Sequence, residues 1–137
     1  MIRYMLDTNI CIALIKDRPE SLKIRMVDLT RDQLAVSSIV IAELWYGVAL
    51  SEKTKQNEAA LKDFLKYVTV LDWPSEASPS YGNLRASLRK KGTPIGAMDL
   101  LIASHALFLK ATLVTDNLRE FQRVQGLKIE NWLERKR

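Results

Sequence analysis

The chain holds one cysteine, Cys11, and one histidine, His105, among 137 residues. A lone cysteine excludes an internal disulfide and a cysteine-based zinc centre, and it fits a reducing cytoplasm. Cys11 sits among Ile10, Ile12 and Ala13, which marks it as a packing residue. Long apolar runs are also missing: Glu43, Asp99 and His105 interrupt the apolar stretches well before a membrane-spanning length, so no transmembrane helix is expected. Met1-Ile2-Arg3-Tyr4 runs straight into a strand-like segment without a signal peptide's layout. Repeats, low-complexity tracts and linkers are absent as well. Trp45, Trp73 and Trp132 do not alternate with basic residues, so they read as packing groups and not as a base-stacking platform.

What remains is the material of one ordinary globular domain spanning residues 1–137, long enough to bury a proper core. Hydrophobic residues make up 47% and charged residues 27%, the latter slightly high for a soluble domain. The net charge of +5 favours polyanionic partners, nucleic acid above all.

Buried strands and helices alternate along the chain. Residues 3–6 read as a strand ending at Asp7, and Thr8 to Ile15 as a helix capped by Thr8 or Asn9. Pro19 opens a short helix through Arg25. Leu34 to Ser37 is a second strand, with Ser38 as cap of the helix that carries Glu43. A more polar helix covers Lys55 to Lys66, and Val68 to Leu71 is a third strand. Ser78 to Lys90 forms the next helix, and Gly92-Thr93-Pro94-Ile95-Gly96 is a loop. Residues 97–109 are apolar nearly all round, the mark of a buried helix; Ala111 to Thr115 is a strand, and Lys128-Ile129 belongs to a last one. Such alternation predicts an α/β domain with a mainly parallel sheet.

Against this apolar background four carboxylates are misplaced. Asp7 ends Tyr4-Met5-Leu6, Glu43 interrupts Ile39 to Tyr46, Asp99 precedes Leu100 to Ala103, and Asp116 follows Leu113-Val114-Thr115. An ionised carboxylate in apolar surroundings costs several kcal/mol unless a cation or a dense set of donors compensates it. Asp7 and Asp116 fall at the carboxyl ends of strands, where open parallel sheets bind their ligands. Asp99 and Glu43 lie near helix starts, so all four can converge on one edge. Three of them also have a structural reading, Asp7 as a helix cap, Asp99 as a first-turn acid and Asp116 as part of a turn, while Glu43 is the hardest to dismiss.

Hard oxygen donors with few others suit Mg²⁺ or Mn²⁺ rather than zinc. The chemistry expected of such a centre is phosphodiester hydrolysis by a metal-activated water, without a covalent enzyme intermediate. His105 lies six residues beyond Asp99, about 240° round the helix, and reads as a packed or partner-bonded histidine. Arg85, Arg89, Lys90 and Lys91 lead into the Gly92 loop, as a solvated face or as contacts to an RNA backbone. Lys16, Arg18, Arg119 and Arg123 are weaker candidates for that task.

Met5-Leu6-Asp7-Thr8-Asn9, Ser37 to Gly47 around Glu43, Lys91 to Ala103 around Asp99 and Leu113 to Phe121 around Asp116 resemble, in order, the VapC toxins of the PIN-domain ribonucleases. The resemblance implies an α/β/α sandwich and a Mg²⁺- or Mn²⁺-dependent endoribonuclease. It also implies a toxin restrained by a cognate antitoxin, often dimeric and often cutting a tRNA. Carried over by position, Asp7 and Asp99 are the principal metal ligands, Glu43 supports them, and Asp116 or Asn117 fills the fourth place. Thr8 or Thr115 would hydrogen-bond the acids or a metal-bound water. The rival readings are a catalytically silent nucleic-acid or partner-docking module and an aspartyl-nucleophile phosphatase. The latter favours a second Asp where Asn9 stands.

Overall fold

The computed structural model describes residues 1–133; the last four residues of the expected single domain lie outside the described ones. The sheet is all parallel and has five strands: β1 (Tyr4–Leu6), β2 (Leu34–Ser37), β3 (Thr69–Leu71), β4 (Thr112–Val114) and β5 (Ile129–Glu130), in the order β3-β2-β1-β4-β5. Seven α-helices flank it among the described residues: α1 (Thr8–Lys16), α2 (Glu20–Met26), α3 (Ser38–Leu50), α4 (Thr54–Phe64), α5 (Ser78–Lys90), α6 (Ala97–Leu109) and α7 (Leu118–Phe121). This is the three-layer α/β/α arrangement that the family resemblance implies, with the parallel sheet that the alternating pattern predicts.

The order of strands explains the layering. Connections from β1 to β2 to β3 step one way across the sheet, and those from β3 to β4 to β5 step back the other way. Right-handed crossovers therefore put α1 to α4 on one face and α5 to α7 on the other. Contacts of α1 with α3 and α4, and of α5 with α6, follow from that division. Met5, Leu6, Ala35, Val36, Leu113 and Val114 are fully buried, so the three central strands read as continuous apolar runs covered on both sides.

Local chemistry sets the helix ends. Asp7, in extended conformation, accepts the Thr8 N–H and starts α1. Ser37, not Ser38, caps α3: its Oγ accepts from the Ile39 N–H, and Ser38 is already the first helical residue. The strand thus runs to its own capping hydroxyl without a spacer. Lys110 stops α6 in the left-handed conformation at φ 57°. α7, unforeseen in the sequence, is a single turn that follows Asn117 and is too short for periodicity to reveal. No helix among the described residues is long and apolar enough to cross a membrane.

Candidate active site

The strand order reverses between β1 and β4, which lie side by side with Met5 opposite Leu113 and Leu6 opposite Val114. A switch point of this kind opens a crevice at the carboxyl ends of the strands, because the flanking helices depart to opposite faces. Asp7 stands at its mouth, its N–H bonded to the Val114 carbonyl at 2.9 Å. The residue is only 6% exposed. Oδ1 accepts from the Thr8 N–H at 2.8 Å and Oδ2 from the Thr115 hydroxyl at 2.8 Å. Burial pushes the Asp7 carboxyl above its ordinary range; the two donors oppose that shift, and the charges of Asp116 and Glu120 add to it.

Glu43 arrives from the second turn of α3. Its Oε1 accepts from the Thr8 hydroxyl at 3.3 Å, so Thr8 ties Asp7 to Glu43 with two different groups. Burial raises the Glu43 pKa, and the charge of Asp7 raises it further. Asp99 lies in the first turn of α6. Burial, then the hydrogen bond and charge of Glu120, then the charges of Asp7 and Glu43 push it up to about 7. These couplings set Asp7, Glu43 and Asp99 in one electrostatic unit.

Glu120 is the acid that sequence reasoning passed over. It sits on α7, where Oε1 accepts from the Gly96 N–H at 3.0 Å and Oε2 from Asn117 Nδ2 at 2.9 Å. A Cβ on Gly96 would lie 3.9 Å from Asp99 Oδ2 and 4.0 Å from Glu120 Oε1, so the two carboxyls flank one point. Burial works against ionisation of Glu120. The donors from Asn117, Gly96 and Asp99, with the Arg123 charge, outweigh it and hold its pKa below the ordinary range. The two shifts run in opposite directions, up for Asp99 and down for Glu120. The available signal was spacing: Glu120 follows Asn117 by three positions, the interval at which a cap meets a first-turn acid.

Asp116 is exposed, receives Asn9 Nδ2 at 3.3 Å and acts on Asp7 through its charge. Asn117 turns its side chain to Glu120 and its N–H to the Thr115 hydroxyl at 3.0 Å. Asp7 therefore caps α1 and also faces the other acids, so its two readings hold together. Arg85, Arg89, Lys90 and Lys91 are exposed at the end of α5 and its exit, and among the described residues only Arg85 has a side-chain partner, the Tyr81 hydroxyl at 2.9 Å. His105 is buried in α6, with Nδ1 2.9 Å from Ser37 Oγ. Burial lowers its pKa, and it serves the core.

Among the described residues no three His, Cys, Asp or Glu side chains stand in a chelating arrangement. Carboxylate oxygens are the donor class that suits Mg²⁺ or Mn²⁺, and Asp7, Glu43 and Asp99 are the residues that would supply them.

A parallel α/β domain with acids gathered at its topological switch point defines the class. The PIN-domain family model matches residues 4–127, and the chain belongs to that family. Within it the chain is 47% identical over 130 residues to Ribonuclease VapC2 of Rickettsia felis, covering 94% of this chain and 97% of that one. It is 42% identical over 132 residues to the tRNA(fMet)-specific endonuclease VapC of Salmonella typhimurium, covering 96% and 99%. The crystal structure of VapBC2 from Rickettsia felis, bound to a DNA fragment from its promoter, superposes with a TM-score of 0.90 at 46% identity, covering 96% of this chain and 99% of that one.

Proposed function

We propose that this chain is a Mg²⁺- or Mn²⁺-dependent endoribonuclease acting in the cytoplasm as the toxin of a toxin–antitoxin pair. It hydrolyses RNA phosphodiester bonds, a tRNA foremost, works as a homodimer and is neutralised by a cognate antitoxin. The observation that carries this reading is the coupled set Asp7, Glu43, Asp99 and Glu120 at the switch point, with Asp116 beside it. Burial, with the charges of neighbouring acids added, raises the pKa of Asp7, Glu43 and Asp99, and a bound divalent cation would offset both. The relatives' names, ribonuclease and tRNA(fMet)-specific endonuclease, support the substrate class. The VapBC complexes support the partner.

In this reading Asp7 and Asp99 hold the ion and Glu43, Glu120 and Asp116 complete its surroundings. When bound, the ion would polarise the scissile phosphate and activate water. Thr8 and Thr115 hold the Asp7 oxygens in place, so the carboxylate needs no reorganisation to meet a cation. Glu120 helps to raise the Asp99 pKa, and a bound cation would compete with a proton for the same oxygens. Asn9, in the place where a phosphatase would carry its second Asp, is engaged with Asp116, which disfavours the aspartyl-nucleophile alternative.

An apolar groove of about 450 Å³ between α1, α3 and α4 has Glu43 on its wall together with Ile12, Leu44 and Val48. An antitoxin segment laid along it would obstruct the acids, and that is where we place the inhibitory contact. The test is to incubate the purified chain with total tRNA, with and without Mg²⁺. Discrete fragments that require the ion and vanish in Asp7→Asn support the proposal; binding without cuts would replace it by the docking module.

A further inference from the structure

A second groove, of about 460 Å³, lies at the opposite edge of the sheet, where Leu34 and Val68 stand at the strand starts. α1 carries the chain from Asp7 at the acidic edge to Arg18 at this one. β2 separates the two edges by about 10 Å. Its floor is apolar, and its rim carries Arg18, Lys23, Arg31, Lys66 and Tyr67 with no Asp or Glu in the lining.

The arginines are pre-positioned. Arg18 Nε is bonded to the Leu14 carbonyl at 3.3 Å and Arg31 Nε to the Val68 carbonyl at 3.1 Å. Each guanidinium is thereby fixed through one nitrogen, and neither enters an ion pair among the described residues. Lys23 is unpaired in the same sense; Lys66 reaches Asp63 only at 3.9 Å, with both side chains mostly in water. Tyr67 is 61% exposed beside this cluster. Four cations around an apolar floor, with an open aromatic ring, match the two faces of a nucleotide: phosphates for the rim, a base for the ring and floor. The volume falls in the range of ordinary ligand sites.

We infer that this groove is a second RNA-binding site, which holds a single-stranded stretch of the substrate away from the scissile bond and anchors it to the edge opposite the acids. The inference rests on the ribonuclease reading proposed above, and it deepens that reading: affinity for a large RNA is divided between two edges of the sheet. An acidic peptide is the competing occupant, but it has little use for an exposed aromatic ring over an apolar floor.

The test reads binding separately from cleavage. Labelled bulk tRNA is titrated into the Asp7→Asn protein carrying Lys23→Gln with Lys66→Gln, or Tyr67→Ala, or the charge-matched pair Lys55→Gln with Lys128→Gln, neither of which lines the groove. The groove pair lowers the salt-dependence slope of log K by about 1.4, roughly 0.7 per phosphate contact on a single strand. Tyr67→Ala weakens binding about tenfold, in line with loss of one stacked base. The control pair leaves both unchanged. All these side chains are exposed, and an unchanged Tm verifies the fold. On the otherwise unsubstituted chain the groove variants raise KM for tRNA and leave kcat alone. Groove variants that bind tRNA like the control overturn the inference, as does loss of polyglutamate binding with tRNA binding intact. Loss of tRNA binding in the groove variants of a chain that cuts no RNA would sink the ribonuclease reading while keeping the groove as an RNA-binding surface.

Discussion

Thr115 Oγ1 donates to Asp7 Oδ2 at 2.8 Å, a buried bond between residues 108 positions apart that joins the ends of β4 and β1. The same Thr115 oxygen accepts the Asn117 N–H at 3.0 Å, which shapes the turn into α7 and so orients Glu120. One hydroxyl therefore connects Asp7 to the segment bearing the partner of Asp99. Thr115→Val keeps the shape and removes both bonds. It should weaken Mg²⁺ affinity by about 10–100-fold, as loss of a ligand-orienting partner does. Titrating the metal dependence of cleavage checks this; excess Mg²⁺ should restore most of the rate.

Asp7→Asn and Asp7→Ala should both reduce RNA cleavage to background but differ in stability. Asn preserves an acceptor for the Thr8 N–H, whereas Ala loses the α1 cap at a cost of about 1 kcal/mol. Parallel thermal melts should place Ala below Asn by several degrees. An active Asp7→Asn protein would refute the site assignment.

Glu120→Gln keeps an oxygen for the Gly96 N–H and removes the charge that loads the Asp99 proton. The Asp99 pKa should fall from about 7 toward the ordinary carboxylate range, observable by carbon NMR of the side chain. An unmoved Asp99 titration would show that burial and the charges of Asp7 and Glu43 raise it without Glu120.

The pH dependence has a definite sign. Asp99 is pushed up to about 7 in the fold, above its ordinary value of 3.8, so between those limits the folded metal-free chain binds more protons than the unfolded one. The Asp99 contribution to stability is therefore complete below about pH 4 and lost as the pH rises through 7. After discounting for its partial exposure, the effect is on the order of 1–2 kcal/mol. Asp99→Asn should flatten this slope in EDTA. Metal and proton compete for the same oxygens, so the Mg²⁺ concentration for half-maximal cleavage should rise by up to about tenfold per pH unit below 7.

Removing divalent ions with EDTA should stop cleavage and leave the chain folded, because the core does not depend on the ion. Adding Mg²⁺ or Mn²⁺ should then restore activity and raise Tm in proportion to the logarithm of its concentration. A Tm insensitive to both ions would argue against a metal at these acids.

Local chemistry in the chain determined a good deal. Apolar runs of strand length ending in an acid announced β1 with Asp7 and β4 with Asp116, and an all-round apolar segment announced α6 with Asp99 in its first turn. These are properties of adjacent residues, set by burial and helix capping, and they survive any arrangement of the elements. The tertiary structure decided what pairing through space controls. The order β3-β2-β1-β4-β5 puts the switch point between Asp7 and Thr115, and that order depends on contacts between distant segments. It leaves Asp116 exposed and places Glu120 against Asp99, a distinction invisible where both are single acids after one strand. Ser37 acquires its cap role and its His105 partner for the same reason: a short polar side chain chooses among neighbours only once the fold has brought them.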